Sequence, residues 1–188
     1  MRTEYADRNI RLRRFSPEDA VALYEAANES LAEIRPWMRW FEGTFSLADS
    51  REWIARGERR WTQQEAFNFA IVTADTGRLL GSCWISHIFF KHKYGNIGYW
   101  VRSSCAGKGI AVVATALLAR FGFAELQLHR LEIMVAVGNR RSERVAEKLG
   151  ACREGVLRER LHLQGAACDA TMFSLLARDL ENLKSPRP

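Results

Sequence analysis

No stretch of this sequence approaches the roughly 20 apolar residues that a membrane-crossing helix needs, and residues 1–14 are dense with charge instead of carrying the apolar run of a secretion signal. The four cysteines, at positions 83, 105, 152 and 168, include no close pair of the kind that holds zinc. No metal is therefore expected, and reduced thiols in the cytoplasm are the natural reading, since disulfides are rare there. Internal repeats, linkers and low-complexity segments are also missing. The net charge of +6 is not gathered into one basic tail: the arginines fall at 11, 13 and 14, then 56, 59 and 60, then 140, 141 and 144. A nucleic-acid partner is thus not favoured, and the charge reads as a solvated surface that attracts an anionic cofactor or an acidic substrate.

What is present is the composition of an ordinary folded protein, 47% hydrophobic and 27% charged over 188 residues, enough for a single domain over 1–188. The end of the chain, 183–188, is expected to be a flexible tail, because Ser185-Pro186-Arg187-Pro188 cannot continue a helix. Strands are expected at 10–15, 67–74, 79–90, 96–101, 131–137, 152–164 and 169–177. Asp75-Thr76-Gly77-Arg78 and residues 91–95 act as tight turns, which forces the three strands they join to pair antiparallel. Ser16 and Ser46 are N-cap signals, the second with Asp49 in a capping-box position and a helix running to about residue 63. Ile110, Val113, Ala114, Leu117, Leu118 and Phe121 recur at helical spacing, and a short helix over 141–149 closes on Gly150. The expected fold class is α/β (α+β mixed), a mixed sheet of about seven strands flanked by helices.

The strand, loop and helix spanning 97–124 carry the strongest chemical signal. In Cys105-Ala106-Gly107-Lys108-Gly109-Ile110-Ala111 the glycines let backbone N–H groups crowd toward one point, and the helix that follows adds free N–H groups and the positive end of its dipole. Such a site suits a pyrophosphate. The loop is neither a P-loop nor a dinucleotide fingerprint, and by itself a Gly-x-Gly turn can equally be structural. Upstream, Trp37, Trp40 and Phe41 belong to an aromatic cluster around Pro36 that reads either as core or as the lining of a substrate groove.

Three segments together, Gly98-Tyr99-Trp100-Val101, Gly107-Lys108-Gly109-Ile110-Ala111 and residues 139–150 (Asn-Arg-Arg-Ser-Glu-Arg-Val-Ala-Glu-Lys-Leu-Gly), closely resemble the GNAT acetyltransferase superfamily. The branch they resemble holds the RimL and RimJ ribosomal-protein N-terminal acetyltransferases. The resemblance implies a sheet whose strands near 96–101 and 131–137 splay apart. It also implies acetyl-CoA as co-substrate: pantetheine lies along Val101, Arg102 and Ser103, pyrophosphate sits on the N–H groups of Gly107, Lys108, Gly109, Ile110 and Ala111, and Asn139 contacts the cofactor or starts the helix. Two departures are visible. Ala106 stands where relatives usually carry Gln or Arg, and Ala146 stands where many carry a tyrosine that protonates the thiolate. Ser142 is then the candidate proton donor; its other reading is a helix cap.

A base is harder to assign. The acid of RimL-type relatives aligns with Leu161. Glu159, two residues earlier and so on the same face of a regular strand, could substitute, and His87 is the other candidate. Trp37, Trp40 and Phe41 would hold the acceptor against the strand that carries His87. The acceptor implied is the N-terminal amine of a protein or peptide. A small-amine or antibiotic acetyltransferase, and a non-catalytic nucleic-acid-binding or regulatory module on the same fold, are the competing readings. A homodimer is compatible with all three.

Overall fold

The computed structural model describes residues 3–7, 9–38 and 45–182. Its strands are β1 (Glu4–Asp7), β2 (Ile10–Arg14), β3 (Ala66–Thr73), β4 (Leu79–Phe89), β5 (Tyr94–Val101), β6 (Arg130–Ala136), β7 (Cys152–Leu163) and β8 (Ala166–Leu175). They form one mixed sheet in the order β1-β2-β3-β4-β5-β6-β8-β7. The helices are α1 (Ala20–Ile34), α2 (Leu47–Thr62), α3 (Ile110–Ala124), α4 (Arg140–Lys148) and α5 (Ala177–Asn182). None of the described helices is long and apolar enough to cross a membrane.

Strands β3, β4 and β5 pair antiparallel through their short turns, as the turn residues require. The eighth strand, β1, pairs with β2; only four residues long and charged at both ends, it shows no sequence period. The last strand begins at Ala166, immediately after the Gly165 turn, instead of at 169. It stops at Leu175, because Asp179 accepts the Leu176 N–H at 2.8 Å and opens α5.

Buried residues occupy both faces of the central strands. On β3, Phe67, Phe69 and Ile71 join Leu117, Leu118 and Phe121 of α3 in one core. The alternate residues Ala70 and Val72 join Leu23 and Ala27 of α1 and Ile54 of α2 in the other. Phe69 and Phe121 meet edge to face at 5.0 Å. The Ser46 capping box is made in full: its hydroxyl accepts from Asp49 N–H at 3.1 Å, and Asp49 accepts from Ser46 N–H at 2.8 Å.

One departure from regular pairing creates the site. Strands β5 and β6 run parallel, but pair only from Tyr94, Gly95 and Asn96 to Arg130, Leu131 and Glu132. Beyond that point they diverge, because β5 stays with β4 as far as Val101 while β6 stays with β8 as far as Ala136.

Candidate active site

The glycine loop lies at the mouth of this splay, between β5 and α3. Gly107 and Gly109 adopt φ of +78° and +77°, and a Cβ built on either would meet nothing within 4 Å. Their glycine identity is thus set by backbone conformation, and the space over them is open. Gly109 is the N-cap of α3, whose first turn has no side-chain cap and no acidic residue. Free N–H groups, the positive end of a 15-residue helix and open volume fit a pyrophosphate.

The edge of β5 supplies a second feature. Arg102 N–H donates to Leu80 C=O at 2.7 Å, and in an antiparallel ladder the outward-bonding residues alternate. Gly98 and Trp100 therefore turn their main-chain groups toward β4, while Tyr99 and Val101 turn theirs into the splay. This places Val101 where an extended, amide-bearing chain could bond to it. Arg102 and Ser103 are different: their N–H groups are already taken, the first by Leu80 and the second by Ser30 Oγ at 3.0 Å.

Helix α1 braces this turn. Besides the Ser30 contact, Ser103 Oγ donates to Glu33 at 2.8 Å and Ser104 N–H donates to Glu29 at 2.9 Å. Arg102 pairs with Glu29 at 2.7 Å. Hydrogen bonding from Ser104, with Arg102 nearby, holds the Glu29 carboxyl below its ordinary value. Nothing in the sequence pattern signalled this brace, which joins residues some seventy positions apart.

Across the splay stands α4. Asn139 is its N-cap, accepting from Ser142 N–H at 3.2 Å, so its side chain performs the helix-start role. Ser142 is therefore not the cap, and its hydroxyl lies 2.8 Å from the Tyr99 hydroxyl of β5. Tyr99 also donates to the Ser142 carbonyl at 3.1 Å. Burial pushes the Tyr99 phenol up to about 12, with the bond to Ser142 working the other way. Glu143, buried, accepts from Thr171 on β8 at 3.2 Å and from Arg140 at 3.0 Å, fixing α4 against the sheet. Tyr99 was visible in the sequence only as part of a motif; its partner lies 43 residues away.

The two candidate bases fall in different places. His87 is exposed, at φ +50° in the irregular end of β4, with a ring nitrogen 3.1 Å from Ser86 Oγ. On β4 it lies four residues past Cys83, the partner of Tyr99; at about 3.3 Å per residue that is roughly 13 Å from the Tyr99 level, toward the closed end. The structure does not bring His87 to Ser142. Glu159 sits on a bulge of β7, at φ +48°, where 158–160 oppose Asp169 alone between the pairs Leu157↔Ala170 and Leu161↔Cys168. Two-residue alternation holds only along an unbroken ladder, so Glu159 and Leu161 are not fixed to one face of β7. Its amide donates to Asp169 Oδ1 at 2.8 Å, and Asp169 C=O accepts from Val137 N–H at 3.0 Å. Glu159 is thus at the β6 end that leads into α4, two strand spacings away.

Trp37 follows α1 in a 3₁₀ turn, Arg35–Trp37, and is 36% exposed. A Cβ on Gly138 would come 4.0 Å from its ring, so the indole covers the turn that leads into Asn139 and Ser142. The β7–β8 turn closes over the same place, with Gln164 Nε2 donating to Arg35 C=O at 2.8 Å. The Trp37 indole therefore faces the β6–α4 turn. Trp40 and Phe41 lie outside the described residues.

The comparisons with known proteins identify the family and the fold. Residues 9–151 match the family model described as Acetyltransferase (GNAT) domain. The chain is 32% identical over 176 residues to "Putative ribosomal N-acetyltransferase YdaF" of Bacillus subtilis, covering 94% of this chain and 96% of that one. It is 26% identical over 152 residues to the ribosomal-protein-serine acetyltransferase of Escherichia coli, covering 81% and 84%. Among solved structures it resembles Mycobacterium smegmatis RimJ in complex with CoA-disulfide, with a TM-score of 0.83 at 25% identity over 91% of this chain and 83% of that one.

Proposed function

We propose that this chain, which belongs to the GNAT acetyltransferase domain family, acetylates the N-terminal α-amine of a protein or peptide. That it is an N-acetyltransferase using acetyl-CoA follows from the family. The choice of acceptor is our reading. It rests on the covered mouth formed by Trp37 over Gly138 with Gln164 bound to Arg35, which suits an extended chain end inserted amine-first. The relatives named for ribosomal-protein acetylation support it.

In this reading, acetyl-CoA supplies a thioester that an uncharged amine attacks directly. The N–H groups of Gly107–Ala111 hold its pyrophosphate, and the exposed edge of β5 at Val101 holds the pantetheine. With both ends fixed, the reaction is favoured by positioning. Ser142 Oγ donates to the departing sulfur. An α-ammonium ionises near 8, so it is partly uncharged at neutral pH and needs little help. Glu159, at the acceptor end, is the carboxylate we assign to receive its proton, whereas His87 lies too far along β4.

The test is thiol release from acetyl-CoA with N-terminal peptides, the same peptides blocked at the α-amine, aminoglycosides and polyamines. Turnover should require the free α-amine. Good turnover of small amines with none of any peptide would reject this acceptor.

A further inference from the structure

The Tyr99 hydroxyl has one proton and two acceptors within reach, and both belong to Ser142: Oγ at 2.8 Å and the carbonyl at 3.1 Å. Tyr99 can satisfy only one as donor. In the arrangement with the donor on the carbonyl, Ser142 Oγ–H can point only to the Tyr99 oxygen or away from it. We infer that Tyr99 is the positioning residue of acyl transfer: its O–H holds the Ser142 carbonyl at rest and turns to Ser142 Oγ when that hydroxyl donates to the leaving sulfur. The inference rests on the role given above to Ser142.

Three observations carry it. Tyr99 is three residues past Asn96, the last β5 residue paired with β6. Its side chain spans the gap that the splay opens, so its hydroxyl lies across the reaction cleft. Ser142 is held on two sides, by Asn139 at its N–H and by Tyr99 at its carbonyl, which leaves only its hydroxyl to reorient. The Tyr99 phenol, kept neutral by burial, carries its proton throughout the neutral range. A donor behind Ser142 Oγ polarises its O–H toward sulfur, since chained hydrogen bonds strengthen one another in a low-dielectric site.

The step balances without Tyr99 losing its proton. The acceptor nitrogen bonds the acetyl carbon and the carbon–sulfur bond breaks with its electron pair on sulfur. The proton shed by nitrogen ends on sulfur by way of Glu159 and solvent. Tyr99 and Ser142 change only the direction of their O–H bonds, so the stabilisation exists only as charge develops.

The experiment compares Ser142→Ala, Tyr99→Phe and the double variant of the full chain. Phenylalanine preserves the ring packing, and melting curves check the fold. One hydrogen bond between neutral groups corresponds to about a tenfold effect. Tyr99→Phe should lower kcat about tenfold with the acetyl-CoA KM nearly unchanged, and the double variant should be no slower than Ser142→Ala. The second readout is binding: calorimetry at alkaline pH should show CoA preferred to desulfo-CoA by wild type, and the preference reduced alike by either single variant. Should Tyr99→Phe be unstable, difluorotyrosine at position 99, which ionises nearer neutrality, replaces it; kcat should then fall on the alkaline side where wild type does not. A slow Ser142→Ala with wild-type Tyr99→Phe, or with additive effects in the double variant, overturns the role of Tyr99 and leaves that of Ser142. Wild-type kcat in Ser142→Ala overturns both.

Discussion

The Ser103 amide donates to the Ser30 hydroxyl at 3.0 Å, across 73 residues of sequence, and Ser30 in turn donates to the Ala26 carbonyl at 2.7 Å. Ser30 is fully buried. A helix on the face of the sheet opposite α3 thus fixes the turn that leads into the glycine loop. Ser30→Ala leaves the Ser103 N–H without its partner, at a cost of about 1–3 kcal/mol. It should lower the melting temperature and raise the KM for acetyl-CoA several-fold, with kcat at saturation little changed. A lower melting temperature with an unaltered KM would make the contact structural only.

Gly109 offers a cleaner test of the anion cradle. Its φ of +77° disfavours any side chain, but a Cβ there meets nothing within 4 Å, so the space itself is free. Asp and Asn both tolerate this backbone region better than most residues and have nearly the same shape. Gly109→Asn should keep part of the rise in melting temperature that acetyl-CoA gives wild type; Gly109→Asp, with its carboxylate where pyrophosphate would sit, should lose it. Equal shifts in the two variants would move the phosphates away from this loop.

Trp37→Ala removes the indole that covers Gly138. Losing about 50 Å² of apolar cover over the acceptor corresponds to roughly 1.3 kcal/mol, so the acceptor KM should rise by up to about tenfold. Binding of acetyl-CoA, measured by calorimetry, should stay close to wild type. If the cofactor affinity falls instead, Trp37 belongs to the other half of the site.

Acid stability is governed in part by the edge of the sheet. Arg130 donates to Glu132 at 3.0 Å and to both Glu154 oxygens at 2.7 and 2.6 Å. The Arg130 guanidinium, helped by Ser174, pulls the Glu154 carboxyl from 4.5 down to about 2. A depressed carboxylate adds stability above its unfolded value, and that increment is lost as pH falls from about 4.5 toward 2. Glu154 is 39% exposed, so screening keeps the increment modest. Glu154→Gln should flatten the fall in urea midpoint over that window. A slope identical to wild type would show that the pair contributes nothing.

The local signals in the sequence were enough for most elements and for the backbone of the glycine loop. Ser46 with Asp49, the Asp75–Arg78 turn, the apolar period of residues 110–121 and the Gly107/Gly109 pair are short-range patterns, and near-neighbour sterics and hydrogen bonding decide what they form. The motif around Asn139 and Ser142 likewise marked the helix on which the hydroxyl sits. Long-range pairing decided the rest. The Tyr99–Ser142 contact exists because β5 and β6 part after Asn96, and the Ser30–Ser103 brace exists because α1 packs over the end of β5. Glu159 could not be placed by alternation, since a bulge against Asp169 breaks the two-residue period. His87 lies at the end of β4 away from the open splay, because antiparallel pairing brings the beginning of β4 beside it. Spacing along a chain fixes which groups share an element; which groups share a cleft depends on the register between elements, and that is a property of the assembled sheet.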